Sequence, residues 1–155
     1  MSLTLWRVVK SRYRDEALSG EGARLYGGRW SSPGYPVIYC SQHLSLAILE
    51  ILVHTQRTNM LSGYDQINLG IDPQYIKSVN PESLPENWND PFPSQDLRNI
   101  GDSWFDIGES LALEVPSVIL PQERNYLINP THGQFKSLIL GDPETITLDP
   151  RLFSN

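Results

Sequence analysis

A chain of 155 residues with 39% hydrophobic and 19% charged residues can bury a single core and is too apolar to stay disordered, so one domain, 1–155, is expected. Its formal net charge of -6 argues against a nonspecific grip on nucleic acid or on an anionic membrane, because both need a basic surface. The one cysteine, Cys40, excludes an internal disulfide and a multi-cysteine zinc site, and the expected location is cytoplasmic.

Residues 3–9 read as a first strand, rich in apolar and β-compatible types. The segment 19–35 holds Gly20, Gly22, Gly27, Gly28, Gly34 and Pro33, a composition that suits a loop. PVIYCS, residues 36–41, is a short strand whose alternation sends Val37, Tyr39 and Ser41 to one side and Ile38 and Cys40 to the other. Ser41 is placed to cap a helix over 42–56, where Leu44, Ala47, Ile48, Ile51 and Leu52 recur at helical spacing without glycine or proline. This apolar run is well short of the roughly 20 residues of a membrane span.

A strand over 65–71 is followed by an excursion over 80–95 that contains Pro81, Pro85, Pro91 and Pro93 and reads as irregular, a lid or an interaction arm. Residues 102–110 suit a short helix, 111–120 a strand with a kink or edge at Pro116, and 126–128 another short strand. Residues 137–140 and 145–148 flank the turn signal GDPE and read as a hairpin or two neighbouring strands. The expected class is α+β: a single compact domain of short mixed strands with a prominent central helix.

Glu50 is the sharpest anomaly, the one acid between Gln42 and Gln56 in an otherwise apolar helix. An unpaired buried carboxylate is costly, so something must hold its charge. The plain alternative is a surface glutamate or an ion pair with an arginine. The functional one is an acid aimed into a cleft, where it can bond ribose hydroxyls and stabilise an oxocarbenium-like transition state. Arg24 and Arg29 lie in the glycine-rich GARLYGGRW, and Arg7 with Arg29 can clamp a pyrophosphate through planar guanidinium forks, or simply satisfy loop carbonyls and acids. Tyr39 suits stacking on a planar ring or a place in the core, and Ser117 has no nucleophile-elbow pattern around it. His43, His54 and His132 lack metal-ligand spacing, Cys40 reads as an inert core thiol, and neither a Rossmann nor a P-loop fingerprint occurs.

Taken as a series, GARLYGGRWSSPG, PVIYCS, SLAILEILVH, GDSW, VPSVIL and NYLINPTHGQF resemble the RES domain, the toxin half of bacterial RES/Xre toxin–antitoxin pairs, in the family's order and over most of the chain from Leu3 to Phe135. The resemblance puts the family's arginine on Arg29, its tyrosine on Tyr39, its glutamate on Glu50, its serine on Ser117 and an early arginine on Arg7. It implies an architecture similar to ADP-ribosyltransferase toxins and cleavage of NAD+ at the nicotinamide–ribose bond, by hydrolysis or phosphorolysis, with NAD+ depletion and growth arrest. On that reading Arg7 and Arg29 hold the pyrophosphate, Tyr39 packs on nicotinamide or its ribose, Glu50 stabilises the ribosyl cation as the anion, and Ser117 orients Glu50 or the ribose. NAD+ is substrate, no cofactor or metal is implied, and the partner is an Xre-type antitoxin, with no direct nucleic acid and no membrane. Pairing with a second copy is left open. An ADP-ribosyltransferase acting on one protein target shares every one of these residues, and a non-catalytic antitoxin-binding module is the alternative from another class.

Overall fold

The computed structural model describes residues 2–54 and 63–152. In chain order it builds β1 (Leu3–Lys10), α1 (Glu21–Tyr26), β2 (Ile38–Ser41), α2 (Leu44–Leu52), β3 (Tyr64–Ile71), β4 (Ile76–Ser78), α3 (Gln95–Ile107), β5 (Ala112–Pro116), β6 (Arg124–Ile128), β7 (Ile139–Leu140) and β8 (Glu144–Thr145). The strands form one sheet in the order β4-β5-β6-β2-β1-β3-β7, with β8 also paired to β3. Only β4 and β5 run parallel; the other pairings are antiparallel. This is the expected α+β class.

The period-two pattern of β2 sorts its side chains as the alternation requires. Ile38 and Cys40 enter a central cluster with Leu5, Ile67, Leu69, Ala112, Tyr126 and Ile128, which joins the two halves of the sheet. Val37 and Tyr39 face the other way, toward Trp30, Leu97, Trp104, Leu113 and Leu127 under α3. A third cluster packs α2 residues Ala47, Ile48 and Ile51 on Val8, Tyr64 and Trp6 of β1 and β3.

The two halves of the sheet meet at a narrow seam. Between β1 and β2 the backbone pairing is confined to Trp6 and Ser41. Beside that point Arg7 bridges the strands with its side chain: Nη1 donates to the Tyr39 carbonyl at 2.9 Å and Nε to the Ala17 carbonyl at 2.5 Å.

Several elements depart from the sequence reading. The glycine-rich stretch contains α1, whose six residues are bracketed by Gly20 and Gly27 at φ 74° and 73°, the left-handed conformation that lets the chain enter and leave the helix abruptly. Ser41 does not cap α2; His43 takes that position without a side-chain bond, and the Ser41 hydroxyl donates to Asn125 instead. The 55–56 end of the expected helix lies outside the described residues. Among the described residues the longest helix is α3 rather than α2, and it begins at Gln95, capped by the Ser94 hydroxyl accepting from Leu97 N–H. Gly101 is not its boundary but an interior contact: a Cβ there would overlap the Trp30 carbonyl oxygen. The strand after it stops at Pro116, and residues 117–120 turn away instead of continuing. No hairpin forms across GDPE, because β7 and β8 pair separately with successive parts of β3.

Candidate functional site

A cleft of about 120 Å³ opens over the seam, lined by Trp6, Arg7, Val8, Tyr39, Ser41, Ala47, Glu50, Ile51 and Asn125 among others. A larger cavity of about 540 Å³ shares Arg7, Val8 and Ile51 with it and runs past Tyr13, Glu16, Glu21 and Tyr26. The smaller space is the one that Arg7, Tyr39 and Glu50 line together.

Glu50 reaches the cleft because α2 has no helix breaker and buries Leu46 and Ala47, one turn before it. Its charge is held by neutral donors rather than by an ion pair. Ser117 Oγ donates to Glu50 Oε1 at 2.9 Å, and Asn125 Nδ2 donates to the same oxygen at 2.6 Å. Both anchors fall on Oε1, and among the described residues Oε2 has no such bond. Ser117 is fully buried, and its hydroxyl oxygen accepts from Ile119 and Leu120 N–H, both at 3.1 Å, so the turn that ends β5 fixes where the serine points.

Tyr39 holds the glycine-rich loop with its hydroxyl and lines the cleft with its body. The hydroxyl accepts from Trp30 N–H at 3.2 Å and lies 2.7 Å from Ser31 Oγ. Gly28 is necessary beneath it, since a Cβ at that position would lie 2.5 Å from the tyrosine oxygen. Burial pushes the phenol up to about 12, with the Ser31 and Trp30 bonds pulling the other way, so Tyr39 is neutral at physiological pH.

Arg29 is carried by the same loop, which α3 secures through Arg98 Nε donating to the Gly28 carbonyl and Asp102 accepting from Ser32 N–H. Its own Nη1 and Nη2 donate to the carbonyls of Asp90 and Pro91 at 2.7 and 3.0 Å, tying the proline-rich excursion to the site. Burial lowers its pKa, while the nearby carboxylates of Glu50 and Asp90 oppose that shift. Arg29 is therefore within the field of Glu50 without bonding to it. Arg7 is likewise lowered by burial, and two of its donors are engaged at the seam. Each guanidinium carries five N–H donors, so neither is exhausted by these bonds. Arg24 turns away, forking onto Glu21 at the surface. Burial raises the Cys40 thiol to about 12, which leaves it un-ionised at neutral pH.

The structure thus brings Arg7, Tyr39 and Glu50 to one cleft, with Ser117 behind Glu50 and Arg29 close enough for its charge to be felt. Asn125 is the residue that sequence reasoning missed. The available signal was weak, a single amide between Arg124 and the apolar remainder of a short strand.

A profile of the RES domain matches residues 4–149. The chain belongs to the RES domain family. A "Toxin Res" of Photorhabdus laumondii is 39% identical over 137 residues, covering 88% of each chain. A "Prs ADP-ribosylating toxin" of a Sphingobium species is 29% identical over 157 residues, covering 98% of each chain. The toxin–antitoxin complex MbcT-MbcA of M. tuberculosis contains a chain that superposes with a TM-score of 0.79 at 20% identity, covering 99% of this chain and 87% of that one. The likeness to that chain shows a shared fold. Among the described residues no helix is long and apolar enough to cross a membrane, and no group of three His, Cys, Asp or Glu is arranged to hold a metal ion.

Proposed function

We propose that this RES toxin cleaves NAD+ at the bond between nicotinamide and ribose. The observation that carries this reading is the Glu50 carboxylate, pinned through one oxygen by Ser117 and Asn125 inside a cleft with Arg7 and Tyr39. When the bond breaks, its electron pair leaves with nicotinamide, which departs neutral, and positive charge develops at the ribosyl carbon. An anchored carboxylate is suited to that charge because its dipoles and anion need not reorganise during the step. Water or phosphate then forms the new bond to the ribosyl carbon, and water gives up a proton as it does so. No strong general acid is needed for the leaving group. Arg29 and Arg7 supply the positive field for the pyrophosphate, Tyr39 supplies an aromatic wall, and Ser117 acts through Glu50 rather than on the substrate.

NAD+ depletion and growth arrest are the expected outcome, and an Xre-type antitoxin that covers the cleft is the expected partner. The complex formed by the structural neighbour with its antitoxin supports the second expectation. A second reading, transfer of ADP-ribose onto a protein, is favoured by the name of the Sphingobium relative. Both readings use the same leaving group and differ in the acceptor.

The test is incubation of the antitoxin-free protein with NAD+, with and without phosphate, following nicotinamide and every ADP-ribose-containing product by chromatography. Glu50→Gln should keep the fold, since the amide oxygen still accepts from Ser117, and lose at least about 100-fold in turnover with the loss of the anion. Equal turnover in the folded variant removes Glu50 from the mechanism. Macromolecule-bound rather than free ADP-ribose selects the transferase.

A further inference from the structure

We propose that Asn125 is a positioning residue for the Glu50 carboxylate and that Ser41, one strand over, anchors the Asn125 amide in place. The proposal rests on the reading that Glu50 works at the reacting ribosyl centre.

Ser41 and Asn125 are directly paired across β2 and β6, and Asn125 is in turn paired with Val115 of β5, so the amide stands between rigid neighbours. The nearly buried Ser41 hydroxyl donates to Asn125 Oδ1 at 2.6 Å. The carboxylate can only accept, so the donor end of the amide, Nδ2, faces Glu50 Oε1, and the Ser41 hydroxyl anchors the oxygen end. The reverse orientation would set an amide oxygen against a carboxylate oxygen, two acceptors with no proton between them.

Ser117 approaches the same oxygen from the turn after β5. With one donor the carboxylate can swing about that bond. With two donors, one from a turn and one from a strand, its plane is fixed, and Oε2 keeps one direction. A carboxylate that must meet positive charge developing at one atom depends on that fixed direction, because small misplacements of a reacting group cost large factors in rate. Asn125 therefore acts on turnover through Glu50, and only weakly on substrate affinity.

The experiment compares the parent with Asn125→Ala, Asn125→Asp and Ser41→Ala, measuring nicotinamide release between about pH 5 and pH 8, with thermal unfolding of each. Asn125→Ala is expected to lower kcat about 10- to 100-fold with KM changed by less than about twofold, and Ser41→Ala to lower kcat less. Asn125→Asp places a second carboxylate against Glu50. At neutral pH the two repel, and at lower pH a shared proton restores a donor to Oε1, so activity recovers toward acid. The charged groups around Glu50, Arg7 and Arg29, stay cationic over this range, so the altered profile reports the introduced carboxylate.

A folded Asn125→Ala with the parent's kcat overturns the proposal, as does an Asn125→Asp profile parallel to the parent's. If the parent releases no nicotinamide, the NAD+ reading falls alone, and Asn125 is judged by growth arrest on induced expression. Loss of arrest with full levels of folded Asn125→Ala then supports the positioning role, and undiminished arrest overturns it.

Discussion

Replacing Ser117 by alanine tests how the site is built, because one hydroxyl serves three bonds. Oγ donates to Glu50 at 2.9 Å and accepts from Ile119 and Leu120 N–H at 3.1 Å, in a side chain with 0% exposure. A hydrogen bond to a charged group contributes about 1.5–3 kcal/mol, and a buried N–H left unpaired costs about 1–3 kcal/mol. The two amides shared a single acceptor and belong to half-buried residues that water can approach, so together they are counted as one penalty near the low end of that range. The expected loss is about 2.5–4 kcal/mol, which at about 2–4 °C per kcal/mol for a domain of this size lowers Tm by about 10 °C. Differential scanning calorimetry of Ser117→Ala beside Ser45→Ala, an exposed serine on α2 expected to change stability by less than about 0.5 kcal/mol, gives the comparison. A fall of less than about 3 °C in Ser117→Ala would refute the claim that this hydroxyl is the keystone of the turn.

Two further outcomes are expected. Gly101→Ala should displace the Trp30 carbonyl, and with it the loop carrying Arg29, costing about 1–3 kcal/mol and reducing NAD+ turnover; a variant with unchanged Tm and unchanged turnover would show that the contact is dispensable. Alkaline stability should fall between about pH 9 and pH 12, because Cys40 is raised from 9.0 to about 12 and Tyr39 from 10.0 to about 12, so the unfolded chain releases these protons first and gains from rising pH. Urea midpoints measured across that window should decline, and Cys40→Ala should remove the thiol's share of the decline. A flat profile in the parent would contradict it.

What the sequence revealed about this site depended on contrast. Glu50 stood out because it interrupts an apolar helix, and the strand 36–41 could be read because its period of two matches the two clusters that it serves. The α3 boundary was hidden by Gly101, whose missing side chain serves packing against a distant loop and not local termination. Ser41 looked like a cap because its neighbours are helical, yet its hydroxyl is drawn across the sheet to Asn125, a partner 84 residues away. The bonds by which Arg7 bridges the seam, and the place of Asn125, were illegible for the same reason. Each is defined by strand order and register, and the seam between β1 and β2 exists only after the whole sheet has assembled.

That seam also changes what holds the protein together. Beyond Trp6 and Ser41, cohesion across the cleft side depends on side chains: Arg7 reaching from β1 to the Tyr39 carbonyl, and Glu50, on a helix packed against β1, gripping Ser117 and Asn125 on the far half. Active sites are commonly places where a fold gives up stability for chemistry. Here the groups that would meet the substrate are also the mortar between two slabs of sheet. Selection for tighter assembly and selection for activity therefore bear on the same few bonds, and a variant disarmed by removing Glu50 altogether would be looser as well as inert.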